Sequence, residues 1–284
     1  MIDNKIMNMK RLFPWITIIF IFLFVSCQTV RIKDNIPGDF SYAKNWCPAD
    51  LHWEPVREGI ECTYFYIPEL QVTWHCVRID MDCENLHFLT VLNVKNGKFE
   101  GFKLKNSAKT GEFAVLLNST PFKKDFTPVG IIVDKKNVLS QPVDRYAALG
   151  VGNNADGKRR AFILDSQDEI DGKDFDLVHG GFFTILDGNE IFEFKKTRRS
   201  RAACGIKDEG KFLYLFAATP RFSLSDNGGL TYEECAFILK QMGCTKAMQF
   251  DGGRSTGLYI GKEKKESAVI KRKISAALGI TTKD

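Results

Sequence analysis

Asp251 closes the mostly apolar run Lys246-Ala247-Met248-Gln249-Phe250 and precedes Gly252, Gly253, Arg254, Ser255 and Thr256, after which Leu258-Tyr259-Ile260 is again apolar. An acid at the mouth of a glycine turn, with backbone N–H groups and two hydroxyls beside it, suits holding or attacking a polar ligand. The pattern predicts strand, turn, strand. The same residues also read as an ordinary hairpin whose Asp braces its own turn. Three more strand ends carry polar chemistry: Asn118 in Asn118-Ser119-Thr120-Pro121-Phe122, His179 before Gly180-Gly181, and Arg201 at the head of Arg201-Ala202-Ala203-Cys204-Gly205-Ile206. Meeting at one sheet edge, they would gather a carboxylate, an amide, an imidazole and a guanidinium into one cleft. Each has a plainer reading beside this one: Arg201 as part of a solvated cationic run, His179 as a satisfied core histidine, Asn118 as a turn residue.

Two other chemistries fit less well. Gly253-Arg254-Ser255-Thr256-Gly257 spells a nucleophile elbow, but an elbow needs a helix after the serine and a histidine later in the chain. Here the next run reads as strand, and His52, His75, His87 and His179 all lie upstream. Cys62, His75, Cys76, Cys83 and His87 have no compact metal-ligand spacing, so neither a metal nor another cofactor is expected.

The elements that must position these residues belong to a chain of 284 residues that is 44% apolar and 12% aromatic, enough for a large packed core. Lys5, Lys10 and Arg11 precede an apolar run over 12–25 that is short and broken by Pro14, which marks an export signal rather than a membrane span. It ends in Phe24-Val25-Ser26-Cys27, which resembles a bacterial lipobox with Cys27 as the lipidated residue. The expected organisation is a signal peptide over 1–26, a lipid-anchor spacer and lead-in over 27–59, and one domain over 60–284. The protein is therefore expected to be exported to the cell envelope and held at the membrane through Cys27. Removing the signal takes away Lys5, Lys10, Arg11 and Asp3, a net of +2, and lowers the charge from +5 to +3. That balance is no footprint of nucleic-acid binding. With Cys27 lipidated, seven cysteines remain, an odd number.

The spacer, with Pro37, Gly38, Pro48 and Pro55, is expected to dock only toward its end, where Trp46 and Trp53 need burial. Beyond it, short runs rich in β-branched and aromatic residues recur between turn signals: 62–67, 72–79, 86–94, 113–117, 129–133, 146–151, 160–164, 176–183, 201–206 and 212–218. A short helix is expected at 107–110. One longer helix is clearly written: Thr231 and Glu234 form a capping box, Cys235, Ile238, Leu239 and Met242 recur at helical spacing, and Gly243 stops it. Lys262 to Glu266 reads as a solvated turn and 268–280 as a closing strand. The fold class is α+β, a strand-rich mixed sheet system with few helices in a single domain.

The ordered series Asn118 to Phe122, His179-Gly180-Gly181, Arg201 to Ile206, Gly229-Leu230-Thr231 with its helix, Phe250 to Thr256, and Arg272-Lys273-Ile274-Ser275-Ala276-Ala277-Leu278-Gly279-Ile280 resembles the phosphodiester glycosidase family, over about residues 60–280. The best-known member of that family removes N-acetylglucosamine from mannose 6-phosphate. The resemblance implies a hydrolase acting on a sugar-1-phosphodiester or related anionic glycoside. It implies Asp251, His179 and Arg201 as catalytic residues, with Asp251 the key carboxylate and Arg201 the phosphate binder. Asn118, Gly252, Gly253, Arg254, Ser255 and Thr256 would contact substrate. Asp80 and Glu112 are candidates for a second carboxylate. Ala202 stands where the family usually has threonine, and Arg254 where it usually has a third glycine; the arginine points to a larger or more anionic ligand or to a site that has drifted. The alternative is a surface lipoprotein that binds glycans without turning them over.

Overall fold

The computed structural model describes residues 39–282, apart from 111, 169, 195, 222–227, 262–264 and 269–271. The expected signal peptide, Cys27 and the first part of the spacer lie outside the described residues.

The largest sheet has eight strands in the spatial order Glu54–Arg57, Ile60–Ile67, Val72–Asp80, Phe212–Pro220, Arg201–Lys207, Lys246–Gln249, Thr184–Asp187 and Glu190–Ile191. Its middle strands alternate with period two and are buried on both faces. Leu213, Leu215, Ala217, Cys204 and Met248 enter one core, and Tyr214, Phe216, Ala218, Ala203 and Ala247 enter the other. The first core lies against two five-stranded sheets. One runs Arg159–Leu164, Ala148–Asn153, Leu177–Gly180, Ile132–Asp134, Asn137–Ser140. The other runs Lys265–Ala268, Leu258–Ile260, Val115–Asn118, Ala276–Thr282, Leu86–Leu92. The strand-rich single domain matches the α+β expectation. Where a mixed sheet system was expected, every pairing between described strands is antiparallel.

The second core is closed by the helix Tyr232–Gln241, which buries Cys235, Ala236, Ile238 and Leu239 on the large sheet. Each large apolar side chain so buried contributes about 1.5–3 kcal/mol. The capping box forms as read. Thr231 Oγ1 accepts the Glu234 N–H at 3.1 Å, and the Glu234 carboxylate accepts the Thr231 N–H at 2.8 Å.

Several sequence readings need correction. The lead-in docks on the body from Phe40 onward, with Trp46 buried as expected: Phe40, Ala43, Trp46 and Cys47 are buried with the helix, and the Trp74 indole N–H donates to the Trp46 carbonyl at 2.8 Å. The short helix runs Leu104–Ala108 rather than 107–110, because Leu104 and Ala108, four apart, are its buried side. Of the expected solvated turn, 262–264 lie outside the described residues, while Lys265 and Glu266 open the edge strand Lys265–Ala268. The closing strand is correspondingly shorter, Ala276–Thr282.

Candidate active site

Antiparallel register brings the first two residues together. Ala203 pairs with Gln249, and the ladder continues with Phe250 N–H donating to Ala202 O at 2.9 Å, so Arg201 falls opposite Asp251. Phe250 itself is buried in the first core and pins the strand end. The chain then turns through the 3-10 turn Gly253–Ser255 into the strand Leu258–Ile260, the strand-turn-strand read from sequence and not an elbow into a helix. Gly253 has φ +60°, a left-handed conformation that favours glycine. A Cβ on Gly252 would lie 3.0 Å from Ser200 O and 3.9 Å from Arg201 Nη1, so a side chain there would crowd the Ser200 carbonyl beside the arginine.

Asn118, at the end of Val115–Asn118, clamps the two ends of this turn. Its Nδ2 donates to Asp251 O at 2.6 Å and its Oδ1 accepts the Gly257 N–H at 2.9 Å. Ser119 O accepts the Asp251 N–H at 2.9 Å. Ser119 Oγ lies 2.7 Å from His179 Nδ1, and Thr90 Oγ1 lies 3.1 Å from His179 Nε2. All three sheets therefore meet beneath Asp251.

The electrostatics separate one reactive group from its supports. Burial pushes the Asp251 carboxyl up to about 6, against the opposing pull of the Ser255 hydroxyl, the Arg272 charge and the Gly252 N–H. A carboxyl so displaced is the kind of group that functional sites hold. Burial pushes His179 down to about 3, so it is neutral at any physiological pH.

Each expected site residue can now be placed. Asp251 is half-buried at the turn. Arg201 lies across from it, only 5% exposed, with its guanidinium carbon 4.0 Å from the centroid of the Tyr232 ring. Its Nε donates to Leu230 O at 2.8 Å and its Nη2 to Thr197 O. The expected catalytic role of His179 is corrected: it is fully buried and both ring nitrogens meet hydroxyls, so it braces Ser119 rather than meeting substrate. Asn118 is likewise a buried brace, not a sugar ligand. The amides of the glycine turn are committed as well. Gly252 N–H serves the Asp251 carboxylate and Gly253 N–H donates to Ser200 O at 2.7 Å, which leaves neither as a phosphate cradle. Ser255 is buried and hydrogen-bonds Asp251, Thr256 is buried, and Arg254 is exposed at the tip. Nothing lies within 4 Å of the Cβ position of Gly253, so the approach to the turn is open on that side.

Neither candidate second carboxylate reaches the site. Asp80 pairs with Phe212, which pairs with Lys207, six residues along the sheet from Arg201 and so about 20 Å away. Glu112 precedes the far end of the strand that carries Asn118. Sequence reasoning gave no role to Tyr232, whose phenol faces Arg201, nor to Arg272, whose charge acts on Asp251. Arg272 was in plain view in the closing segment. Tyr232 gave no signal, since its position follows only from how the helix docks. Among the described residues, no group of three or more His, Cys, Asp or Glu side chains is placed to hold a metal ion.

The phosphodiester glycosidase family model matches residues 93–281, which takes in Asn118, Ser119, His179, Arg201, Tyr232, the Asp251 turn and Arg272. The chain belongs to the phosphodiester glycosidase family. No curated protein matches the sequence. Among solved structures, the fold is similar to that of a hypothetical protein from Synechocystis, with TM-score 0.61 and 16% identity over 81% of this chain and 64% of that one. It is similar also to the zebrafish N-acetylglucosamine-1-phosphodiester alpha-N-acetylglucosaminidase catalytic domain auto-inhibited by its pro-peptide, with TM-score 0.61 and 19% identity over 81% and 85% of the two chains. At these identities the likeness is one of fold.

Proposed function

We propose that this phosphodiester glycosidase is an exported hydrolase that cleaves a sugar-1-phosphodiester, with Asp251 as the carboxylate at the anomeric carbon and Arg201 and Arg254 on the side of the phosphate. The observation that carries the reading is the Asp251 carboxyl, half-buried, displaced to about 6, held by Ser255 and Gly252, and set opposite Arg201 by strand register. Hydrolysis joins a water oxygen to the anomeric carbon while the bond from that carbon to the phosphate oxygen breaks, and the electron pair leaves with the phosphate monoester. A phosphate carries that charge without first taking a proton, so the site needs cations more than a strong general acid. Asp251 can attack the anomeric carbon or take the proton of the attacking water. Both uses, and its stabilisation of oxocarbenium-like charge, need the ionised form. Export and anchoring through Cys27 rest on the leader residues alone.

The zebrafish protein's name suggests the first probe, a diester of N-acetylglucosamine 1-phosphate. Wild-type protein is expected to release the free sugar, and Asp251→Asn to lower kcat/KM by about 10²-fold or more. Equal rates for the two proteins would remove Asp251 from the chemistry. The second reading, a glycan-binding lipoprotein without turnover, draws support from Arg254 in place of a glycine and from the distance of Asp80 and Glu112. It predicts saturable binding of the diester with no sugar released.

A further inference from the structure

A further guanidinium able to meet an anion at this site belongs to a residue outside the set just assigned. Arg272 lies in the loop before Ala276–Thr282 and is exposed, with its guanidinium carbon 5.0 Å from the centroid of the Phe122 ring. Phe122 is stacked in turn on Phe126, at 5.6 Å and 22°. This ledge is tied down: Phe122 bridges to Pro128, Ser275 Oγ donates to Phe126 O at 2.5 Å, and Ile274 exchanges backbone hydrogen bonds with Phe102. It also adjoins Asp251 by chain continuity, because Asn118 and Ser119, which bond the Asp251 backbone, stand just before Phe122, and Ser119 N–H donates to Ala276 O at 3.2 Å. The Arg272 charge accordingly acts on the Asp251 carboxyl. Arg201 is differently disposed. Two of its three nitrogens hold the carbonyls of Leu230 and Thr197, its face lies on Tyr232, and it is almost wholly buried. Those contacts hold Arg201 in place beside the turn, while Arg272 presents a planar fork to solvent from a rigid aromatic support, which suits bidentate contact with a phosphate.

We propose that Arg272, laid on Phe122, is the specificity-determining cation of the site and grips the phosphate of the substrate, setting a preference for anionic over neutral aglycones. This rests on the phosphodiester reading above and deepens it. The test is calorimetric binding of N-acetylglucosamine 1-phosphate and of N-acetylglucosamine to the full-length protein and to Arg272→Gln, Arg272→Lys and Phe122→Leu, with thermal melts to establish that each variant folds. Kinetics on the methyl phosphodiester and on a neutral nitrophenyl glycoside run in parallel. Arg272→Gln is expected to weaken the sugar phosphate about 10- to 100-fold, as loss of a charged hydrogen bond does, and the neutral sugar less than threefold. Arg272→Lys, which keeps charge without the fork, and Phe122→Leu, which removes the support, should fall between. Turnover should show the same split, and on the neutral glycoside the acid limb of the pH profile should move up in Arg272→Gln, since the carboxyl loses a nearby cation. Unchanged binding of the sugar phosphate, or an equal loss on both sugars, overturns the proposal. If the wild type binds the sugar phosphate but cleaves no diester, the hydrolase reading falls while the binding comparison still decides the role of Arg272.

Discussion

Replacing Asp251 by asparagine is expected to make the protein inactive and more stable in one step. Burial raises the carboxyl from 3.8 to about 6 despite three opposing contacts, so the folded protein holds this charge less readily than the unfolded chain does. Two pKa units correspond to about 3 kcal/mol. The residue keeps some exposure to solvent, and screening there takes the expected effect down to about 1.5 kcal/mol. For a domain of this size that is a rise in Tm of about 3–6 °C. The pH dependence fixes the cause. Below 3.8 the carboxyl is protonated in both states and contributes nothing. As pH rises from 3.8 to 6 only the unfolded chain ionises, and the wild type loses stability relative to the variant. Above 6 the difference is constant. Thermal melts of both proteins at pH 4, 5, 6 and 7.5, with turnover measured on the same preparations, test this. An asparagine variant that melts at or below the wild type at pH 7.5, or a gap that does not close toward pH 4, refutes the desolvated-carboxylate argument.

The desolvated imidazoles act with the opposite slope. His179 and His75 are lowered to about 3 and about 4, so as pH falls below 6.5 the unfolded chain takes up protons that the folded protein refuses. Wild-type stability should fall by up to about 1.4 kcal/mol per pH unit for each, and His179→Asn should remove one such slope in acid denaturation curves. Asn118→Asp keeps an acceptor for Gly257 N–H but faces Asp251 O, 2.6 Å away, with oxygen instead of a donor. It should cost about 1–3 kcal/mol in denaturant titrations and lower turnover. Thr231→Ala removes the cap of the helix that carries Tyr232, at a cost of about 1 kcal/mol by urea midpoint. Trp46→Ala should cost about 3–5 kcal/mol, since Trp46 is 2% exposed in the core beneath the helix; a loss under 1 kcal/mol would return the lead-in to the status of a spacer.

What the chain discloses before folding depends on whether a property is local or relational. The strands and the capped helix are local, since alternation and the Thr231–Glu234 pair are written within a few residues of each other. Register made the site legible too. Arg201 to Ile206 and Lys246 to Phe250 are adjacent antiparallel strands, and Asp251 needs no more than that pairing to face Arg201. The role of each polar group was not legible, because role depends on what lies behind the side chain. His179 before two glycines looks like Asp251 before two glycines, yet one sits under Ser119 and Thr90 and the other at an open turn. Lys265 and Glu266 read as part of a solvated turn because composition does not tell a charged edge strand from a charged turn.

That distinction also separates a functional cluster from a structural ion pair. A chain selected only for stability could let Arg201 close on Asp251 and hold the carboxyl low. Instead no ion pair joins them, although register sets them opposite, and the carboxyl is displaced upward. Carbonyls of Leu230 and Thr197 draw the guanidinium back on one side; on the other, Asn118 and Ser119 fix the Asp251 backbone and Ser255 holds its carboxylate. Keeping two opposite charges near each other but unpaired costs stability, the cost that the Asp251→Asn melt measures. The arrangement has a physical rationale where a ligand with an anionic group and a developing positive centre completes the charge balance, as a glycosyl phosphodiester does at its transition state.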